Sequence, residues 1–594
     1  MKRLRTASGP ELYTPMRLRN NLLILLMLGA LLSQARAAGV YPVREPHTMV
    51  VSAHAAASQA GVEILKTGGN AVDAAAAVGF ALAVVHPQAG NLGGGGFMLI
   101  RTADGKTKFI DYRETAPAAA TADMYLDSKG EVTDAGLYGF RAIAIPSSVA
   151  GLTFAQKKYG KLKLDRVMAP AIKLARDGFA LSQEDAEDFR DKKMSEYPEA
   201  HRIFQRDGNY YRTGEIFRQP ELAHTLERLA KDPSDFYRGA MAREIAEGLK
   251  RGGGIITAED LAHYEVKERE PVRGTYRGYE VISAPPPSSG GVTLIELLNI
   301  LEGYDLAKLG NRTARSVHFT TEAFRRAFFD RAELLGDPDF SRIPVAQLID
   351  KKYAAAWRET IDPSRATPSE GLRRPPIFSQ LETYASVTPP LREFHHTTHF
   401  SVVDAEGNAV SDTTTLNDDF GSRVVVKGLG FLLNDEMDDF AAKPGVPNGF
   451  GLIQGPANAI GPGKRPLSAM APTIVLKDGK LSMVLGSPGG PHIITTVANA
   501  LMGVVDYGMD IQEAVNAPRF HQQWMPDLVE VEQWFPTDTV HMLEQMGYKV
   551  QLGTIEIGTF LPYWSEAECI AIDPKTGDRL GASDIRGNGK AVGY

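Results

Sequence analysis

The sequence predicts a layered α+β fold in which antiparallel sheets are covered by helices. Four hairpin patterns lie far apart along the chain, and two long stretches, about Ser148 to Tyr264 and Thr293 to Leu335, carry helical periodicity with charged faces. The strand patterns return through short polar turns instead of alternating with helices, which argues against a doubly wound parallel sheet. At 594 residues the chain is long enough for two to four domains or one large composite core. No repeat at a solenoid period is present.

The first 37 residues stand apart. Arg17 and Arg19 precede an apolar run, Leu22 to Leu32, too short for a comfortable membrane span, and Ala35-Arg36-Ala37 supplies the small-residue pattern of a signal-peptidase site. A secretory signal cleaved after Ala37 is the expectation, and a retained membrane anchor is the competing one. Residues 1 to 37 hold six basic groups and one acidic group, so their removal takes the formal charge from −7 to −12. No later segment is apolar enough to span a membrane, so no stable membrane span is expected after signal removal.

From Ala53 to Val85, alanine-rich periodic segments flank the breaker Gly68-Gly69-Asn70, which predicts two packed helices. The glycine cluster Gly93 to Gly96 leads into a hairpin, Phe97 to Arg101 returning as Lys108 to Tyr112 after Asp104-Gly105-Lys106. Those glycines precede a strand rather than a helix, so a tight backbone crossing is favoured over phosphate binding. Beyond a proline-rich segment, Pro363 to Pro390, the remaining hairpins pair Thr398 to Asp404 with Ala409 to Leu416 and Thr473 to Leu476 with Leu481 to Leu485, and turn Cys569 to Ile572 through Lys575-Thr576-Gly577.

Composition narrows the chemistry. With 65 basic and 72 acidic side chains the protein is a poor candidate for nucleic-acid binding. The single cysteine, Cys569, excludes an intramolecular disulfide and cysteine-rich metal centres, and reads as a packed small hydrophobe. The common nucleotide-binding and serine-hydrolase signatures are missing, as is H-E-x-x-H. In His395-His396-x-x-His399, strand geometry places His395 and His399 on one face and His396 on the other, which favours ordinary packed or solvated histidines over a metal site. No metal and no cofactor is expected.

The informative stretch runs from Thr397 to Gly421. A hydroxyl is a weak nucleophile and needs a base within hydrogen-bond reach. If the bond before Thr397 were cut, the new α-amine, with a reference pKa of about 7.7–8.0, would be that base on the same residue. Thr415 falls on the returning strand, in position to hydrogen-bond the Thr397 hydroxyl. From composition alone, these threonines read first as ordinary strand formers.

Thr397-Thr398-His399-Phe400-Ser401, Gly407 to Ser411, Thr413-Thr414-Thr415-Leu416-Asn417 and Phe420-Gly421 together resemble the γ-glutamyltranspeptidase signature. The resemblance extends to Gly68 to Ala74, Gly90 to Met98, Asp111 to Glu114, Pro286 to Gly291, Asn434 to Phe440, Lys464 to Ser468, Gly486 to Gly490 and Asn516 to Phe520, and so covers essentially the whole chain after residue 37. It implies a four-layer αββα sandwich of the N-terminal-nucleophile hydrolase type, formed jointly by two subunits. The precursor would cut itself between His396 and Thr397 into a large subunit, 38–396, and a small one, 397–594, which remain together as a heterodimer. Thr397 would attack the γ-carbonyl of a donor such as glutathione, with Thr415 alongside and the N–H groups of Gly489 and Gly490 as oxyanion hole. Water, an amino acid or a peptide would then resolve the γ-glutamyl-enzyme.

The resemblance also assigns Arg113 and Ser468 to the donor's α-carboxylate, and Asn417, Glu436 and Asp439 to its α-ammonium. Two departures stand out. Ala469 replaces a second serine common in the family, and Phe450, in a lid-like segment from Pro444 to Gly455, stands where a tyrosine is common. The alternative is a glutaryl or cephalosporin acylase of the same fold, whose donor lacks the ammonium.

Overall fold

The computed structural model describes residues 41–376, 397–553 and 564–594. The leader, His395 and His396 lie outside the described residues. The elements that build the site are β1 (Val43–Glu45), β2 (Met49–Ser52), α1 (Ala55–Lys66), α2 (Ala71–Val85), β3 (Gly95–Arg101), β4 (Thr107–Tyr112), α3 (Ser148–Tyr159), β5 (Lys267–Arg269), β6 (Val272–Tyr276) and β7 (Tyr279–Ser283). They continue with α4 (Gly290–Leu301), α5 (Ala314–Leu334), β8 (Thr397–Val403), β9 (Ala409–Thr415), β10 (Thr473–Lys477), β11 (Lys480–Leu485), α6 (His492–Val505), β12 (Glu568–Ile572), β13 (Arg579–Ser583) and β14 (Lys590–Gly593).

These strands form two seven-stranded sheets, in the orders β14-β2-β8-β9-β3-β4-β5 and β1-β13-β12-β11-β10-β7-β6. Every pairing within them is antiparallel. Period-two alternation explains how the sheets are layered. In β3, Met98 and Ile100 join the core formed with α1, α2 and α3, whereas Phe97 and Leu99 join the core that contains the second sheet. Ile282, Ile474 and Val484 of that second sheet share their core with apolar residues of α4, α5 and α6. The result is helix, sheet, sheet, helix, the four-layer αββα sandwich expected from the family resemblance.

Both sheets are therefore buried on two faces, which is why β8 and β9 are buried at every position although they carry many polar residues. Their hydroxyls must be satisfied inside the protein. Ser401 donates to the Glu568 carbonyl at 2.7 Å and Ser411 to that of Leu485 at 3.0 Å, tying the two sheets together. His399 is held between Thr413 Oγ1 (2.8 Å) and Ser401 Oγ (3.1 Å), and burial lowers its pKa to about 3. It is thus a neutral histidine of the inter-sheet core. Among the described residues, no group of three or more His, Cys, Asp or Glu side chains could hold a metal ion, and no helix is long and apolar enough to cross a membrane.

Local signals place the helices at the expected breaker. Asn70 and Asp73 form a reciprocal capping box at the start of α2, whose residues are all buried. The expected hairpins occur within a residue or two of their sequence bounds. The β6–β7 hairpin, which turns through Arg277 and Gly278 at positive φ, and the short strands β1, β2, β5 and β14 carried no strong sequence signal. The glycine cluster is a backbone crossing. A Cβ on Gly94 would collide with the Thr415 carbonyl and one on Gly96 with that of Thr413, so this close pairing of β3 to β9 requires glycine. Cys569 is buried in β12, and burial pushes its thiol pKa up to about 12.

Candidate active site

The site grows from the β8–β9 hairpin. Antiparallel register sets Thr397, the first residue of β8, opposite Thr415, the last of β9. Their hydroxyls lie 3.2 Å apart. Immediately after β9 the chain turns sharply at Asn417, whose φ of 87° is uncommon for a non-glycine residue. The turn is held from both sides. The Asn417 N–H donates to Thr415 Oγ1 at 2.9 Å, and Asn417 Nδ2 donates to the Asp435 carbonyl at 3.2 Å. Spending the amide nitrogen on Asp435 leaves Asn417 Oδ1 as an acceptor.

Arg113 follows β4 and is fully buried. One of its terminal nitrogens donates to Glu436 and the other to Asp439, while Nε donates to the Pro466 carbonyl at 3.2 Å. Glu114 lies 3.7 Å from the same guanidinium, with both of its oxygens buried. Burial disfavours the guanidinium charge, but Glu436, Asp439 and Glu114 outweigh it and hold the Arg113 pKa above its ordinary value. Burial raises the Glu436 carboxyl well above the usual range despite Arg113, and raises Glu114 to about 7. A buried ion set of this kind contributes little net stability, since desolvation offsets the attraction, so a binding role accounts better for its presence.

Ser468 enters from the other wall. Its N–H donates to the Pro287 carbonyl at 3.0 Å and its Oγ accepts from the Met470 N–H at 3.1 Å. Gly489 and Gly490 form the turn between β11 and α6 with φ of 114° and 53°. Side chains would not fit there. A Cβ on Gly489 would meet Ser565, and one on Gly490 would sit 2.8 Å from the Phe450 ring. Neither glycine N–H has a hydrogen-bond acceptor among the described residues.

These pieces line one cavity, with Thr397, Thr415, Asn417, Arg113, Glu436, Asp439, Ser468, Ala469, Phe450 and Gly490 around it and about 20 Å³ of free space inside. That is room for about one water molecule. Gly489 is the only one of the expected oxyanion and binding residues outside this lining, one position behind Gly490. Phe450 is part of this lining, and the loop that carries it is tied down at several points, with the Gly449 N–H donating to Asp438 Oδ2 at 2.9 Å among them. Asn448 Nδ2 reaches Asp439 Oδ1 at 3.4 Å, and the Gly455 N–H donates to the Ala332 carbonyl at 2.8 Å.

Sequence reasoning missed four lining residues, Arg331, Leu452, Met470 and Ile493. Arg331 belongs to a helix in which Arg325 and Arg326 make ordinary ion pairs, so no local signal singled it out. The others are apolar residues next to recognised motifs.

Comparison with known proteins agrees with this geometry. The gamma-glutamyltranspeptidase family matches residues 57–594. The chain is 49% identical over 537 residues to the glutathione hydrolase proenzyme of Pseudomonas sp. strain A14, covering 89% of this chain and 90% of that protein. Among solved structures, gamma-glutamyltranspeptidase from Helicobacter pylori is 44% identical with a TM-score of 0.54, over 56% of this chain and 96% of that one. Cephalosporin acylase from Bacillus halodurans is 28% identical with a TM-score of 0.81, over 94% of this chain and 98% of that one.

Proposed function

The chain belongs to the gamma-glutamyltranspeptidase family, and from that premise we propose which of its residues carry out each step. The protein is an enzyme that transfers and hydrolyses γ-glutamyl groups and matures from a precursor. In the proposed scheme the bond between His396 and Thr397 is severed in maturation, leaving Thr397 at the start of a small subunit, 397–594, that stays with the large subunit, 38–396, as a heterodimer. The freed α-amine accepts the proton of Thr397 Oγ1 as that oxygen attacks the γ-carbonyl of glutathione or a related donor. Thr415, 3.2 Å away, orients the attacking hydroxyl.

The tetrahedral oxyanion is received by the N–H groups of Gly489 and Gly490, a type of contact worth about 3–4 kcal/mol of barrier per donor. Collapse of this intermediate breaks the C–N bond, and the departing amine takes the proton held by the Thr397 α-amine. Water attacking the resulting ester gives glutamate, and an amino acid or peptide gives a new γ-glutamyl compound. No cofactor is required by this chemistry. The leader, with its apolar run from Leu22 to Leu32 and the Ala35-Arg36-Ala37 site, marks the protein for export to a periplasm or the medium.

The observation that carries the donor assignment is the self-paired set of Arg113 with Glu436 and Asp439 in the lining of the Thr397 cavity. A γ-glutamyl donor brings one carboxylate and one ammonium, and can exchange partners with this set without leaving a buried charge uncompensated. Arg113 and Ser468 then take the carboxylate, while Asn417, Glu436 and Asp439 take the ammonium. A glutaryl or cephalosporin side chain has no ammonium and would leave those carboxylates unmatched.

Asp439→Ala tests the assignment. Self-cleavage should be retained, with KM for a γ-glutamyl anilide raised about 10- to 100-fold and KM for the glutaryl anilide nearly unchanged. Unaltered kinetics on the γ-glutamyl donor would remove Asp439 from the binding site.

A further inference from the structure

Arg331 has no assigned part in the reaction, yet its position on α5 is hard to explain as packing alone. It is only 1% exposed and lines the same cavity as Thr397, Ser468 and Ala469. Its Nε donates to Ser289 Oγ at 2.9 Å, and Ser289 Oγ in turn donates to the Ser468 carbonyl at 2.6 Å. The guanidinium is therefore fixed to the backbone of the residue expected to hold the donor's carboxylate. Its NH1 has no hydrogen-bond partner among the described residues, and no carboxylate among them lies within ion-pair distance of it.

A buried guanidinium nitrogen without an acceptor carries a full desolvation cost. Asp439 attracts it from further off, but Asp439 is already bonded to Arg113. Burial lowers the Arg331 pKa to about 10, so the group remains a cation at neutral pH. The neighbouring Ala469 offers no side-chain hydrogen bond to an anion on this wall.

We propose that Arg331 is a second carboxylate-binding residue, whose free NH1 receives the α-carboxylate of the γ-glutamyl donor beside Ser468 and Ala469. This rests on the γ-glutamyl reading given above and deepens it. Two guanidinium groups then share the carboxylate. Arg113 approaches from the side of Glu436 and Asp439, and Arg331 from the side of Ser468. When the ammonium draws Glu436 and Asp439 toward itself, Arg113 turns to the carboxylate, and Arg331 gains an acceptor that the described protein groups do not give it.

The test compares two donors that differ only at this group, a γ-glutamyl anilide and its α-carboxamide counterpart. They are assayed on the mature wild-type enzyme, on Arg331→Met and on Arg331→Lys, with maturation followed by electrophoresis. The expected result is that Arg331→Met matures and that its KM for the carboxylate donor rises about 10- to 100-fold, while KM for the carboxamide donor changes less than about threefold. Arg331→Lys, which keeps the charge, should recover part of the loss for the carboxylate donor alone.

Equal losses on both donors, or a loss confined to kcat, would overturn the proposal. So would failure of both variants to mature, which would make Arg331 a structural residue. Failure of the underlying γ-glutamyl reading would look different, since wild-type enzyme would then turn over neither donor.

Discussion

Glu114 stands next to the Arg113 guanidinium proposed to bind the donor, with both of its oxygens buried. Burial raises its pKa from 4.5 to about 7 against the pull of Arg113. A carboxyl with a raised folded-state pKa takes up protons on folding, so between about pH 4.5 and 7 its contribution to stability falls as pH rises. Above 7 the full cost of the buried charge is present. Glu114→Gln should therefore raise the melting temperature of the mature enzyme at pH 8 by a few degrees, with the gain shrinking toward pH 5. A melting difference that does not vary with pH would show that Glu114 is ionised throughout that range. At this scale the sequence was most informative where a motif fixes residue type, as at Arg113, Asn417 and Ser468. It was silent on Arg331, whose proposed role depends on what a distant segment places beside it.

Among the elements, the turn between β11 and α6 has the strictest demands. Gly490 combines a positive φ with the Phe450 ring lying against it, so the turn and the loop that carries Phe450 are in contact in the cavity lining. Gly490→Ala should displace both, and we expect kcat to fall about 10²- to 10³-fold with a smaller change in KM, measured on the γ-glutamyl anilide. Loss in KM alone would place the oxyanion elsewhere. The hairpins β3–β4, β8–β9, β10–β11 and β12–β13 were legible because each has apolar runs closed by a polar turn with glycine. The β6–β7 hairpin was not, because its strands, VRGTY and YEVIS, mix exposed charge with burial and its turn begins at Arg277 rather than at an asparagine or aspartate. The edge strands β1, β5 and β14 are three or four residues long and owe their conformation to the neighbours they pair with.

Across the whole molecule, the sandwich brings together segments that are hundreds of residues apart. Thr397 begins β8, which lies between β2 and β9 in one sheet, Arg113 follows β4 of that sheet, and Gly490 follows β11 of the other. Sheets covered by helices were readable from the hairpins and the helical stretches, whereas the four-layer sandwich came from the family resemblance and the order of strands from neither, since local pattern does not specify which strands become neighbours. The same arrangement explains how the chain could be cut before Thr397 without falling apart. Strand β8 pairs with β2 from the segment before residue 396 and with β9 from the segment after it. The most direct test is intact mass measurement of the purified enzyme alongside the Thr397→Ala variant, each assayed for γ-glutamyl anilide turnover. The expected result is two polypeptides in the active wild type, the smaller beginning at Thr397, and a single unprocessed polypeptide with at least about 10⁴-fold lower activity in the variant. An active wild-type enzyme with the bond before Thr397 intact would contradict the account.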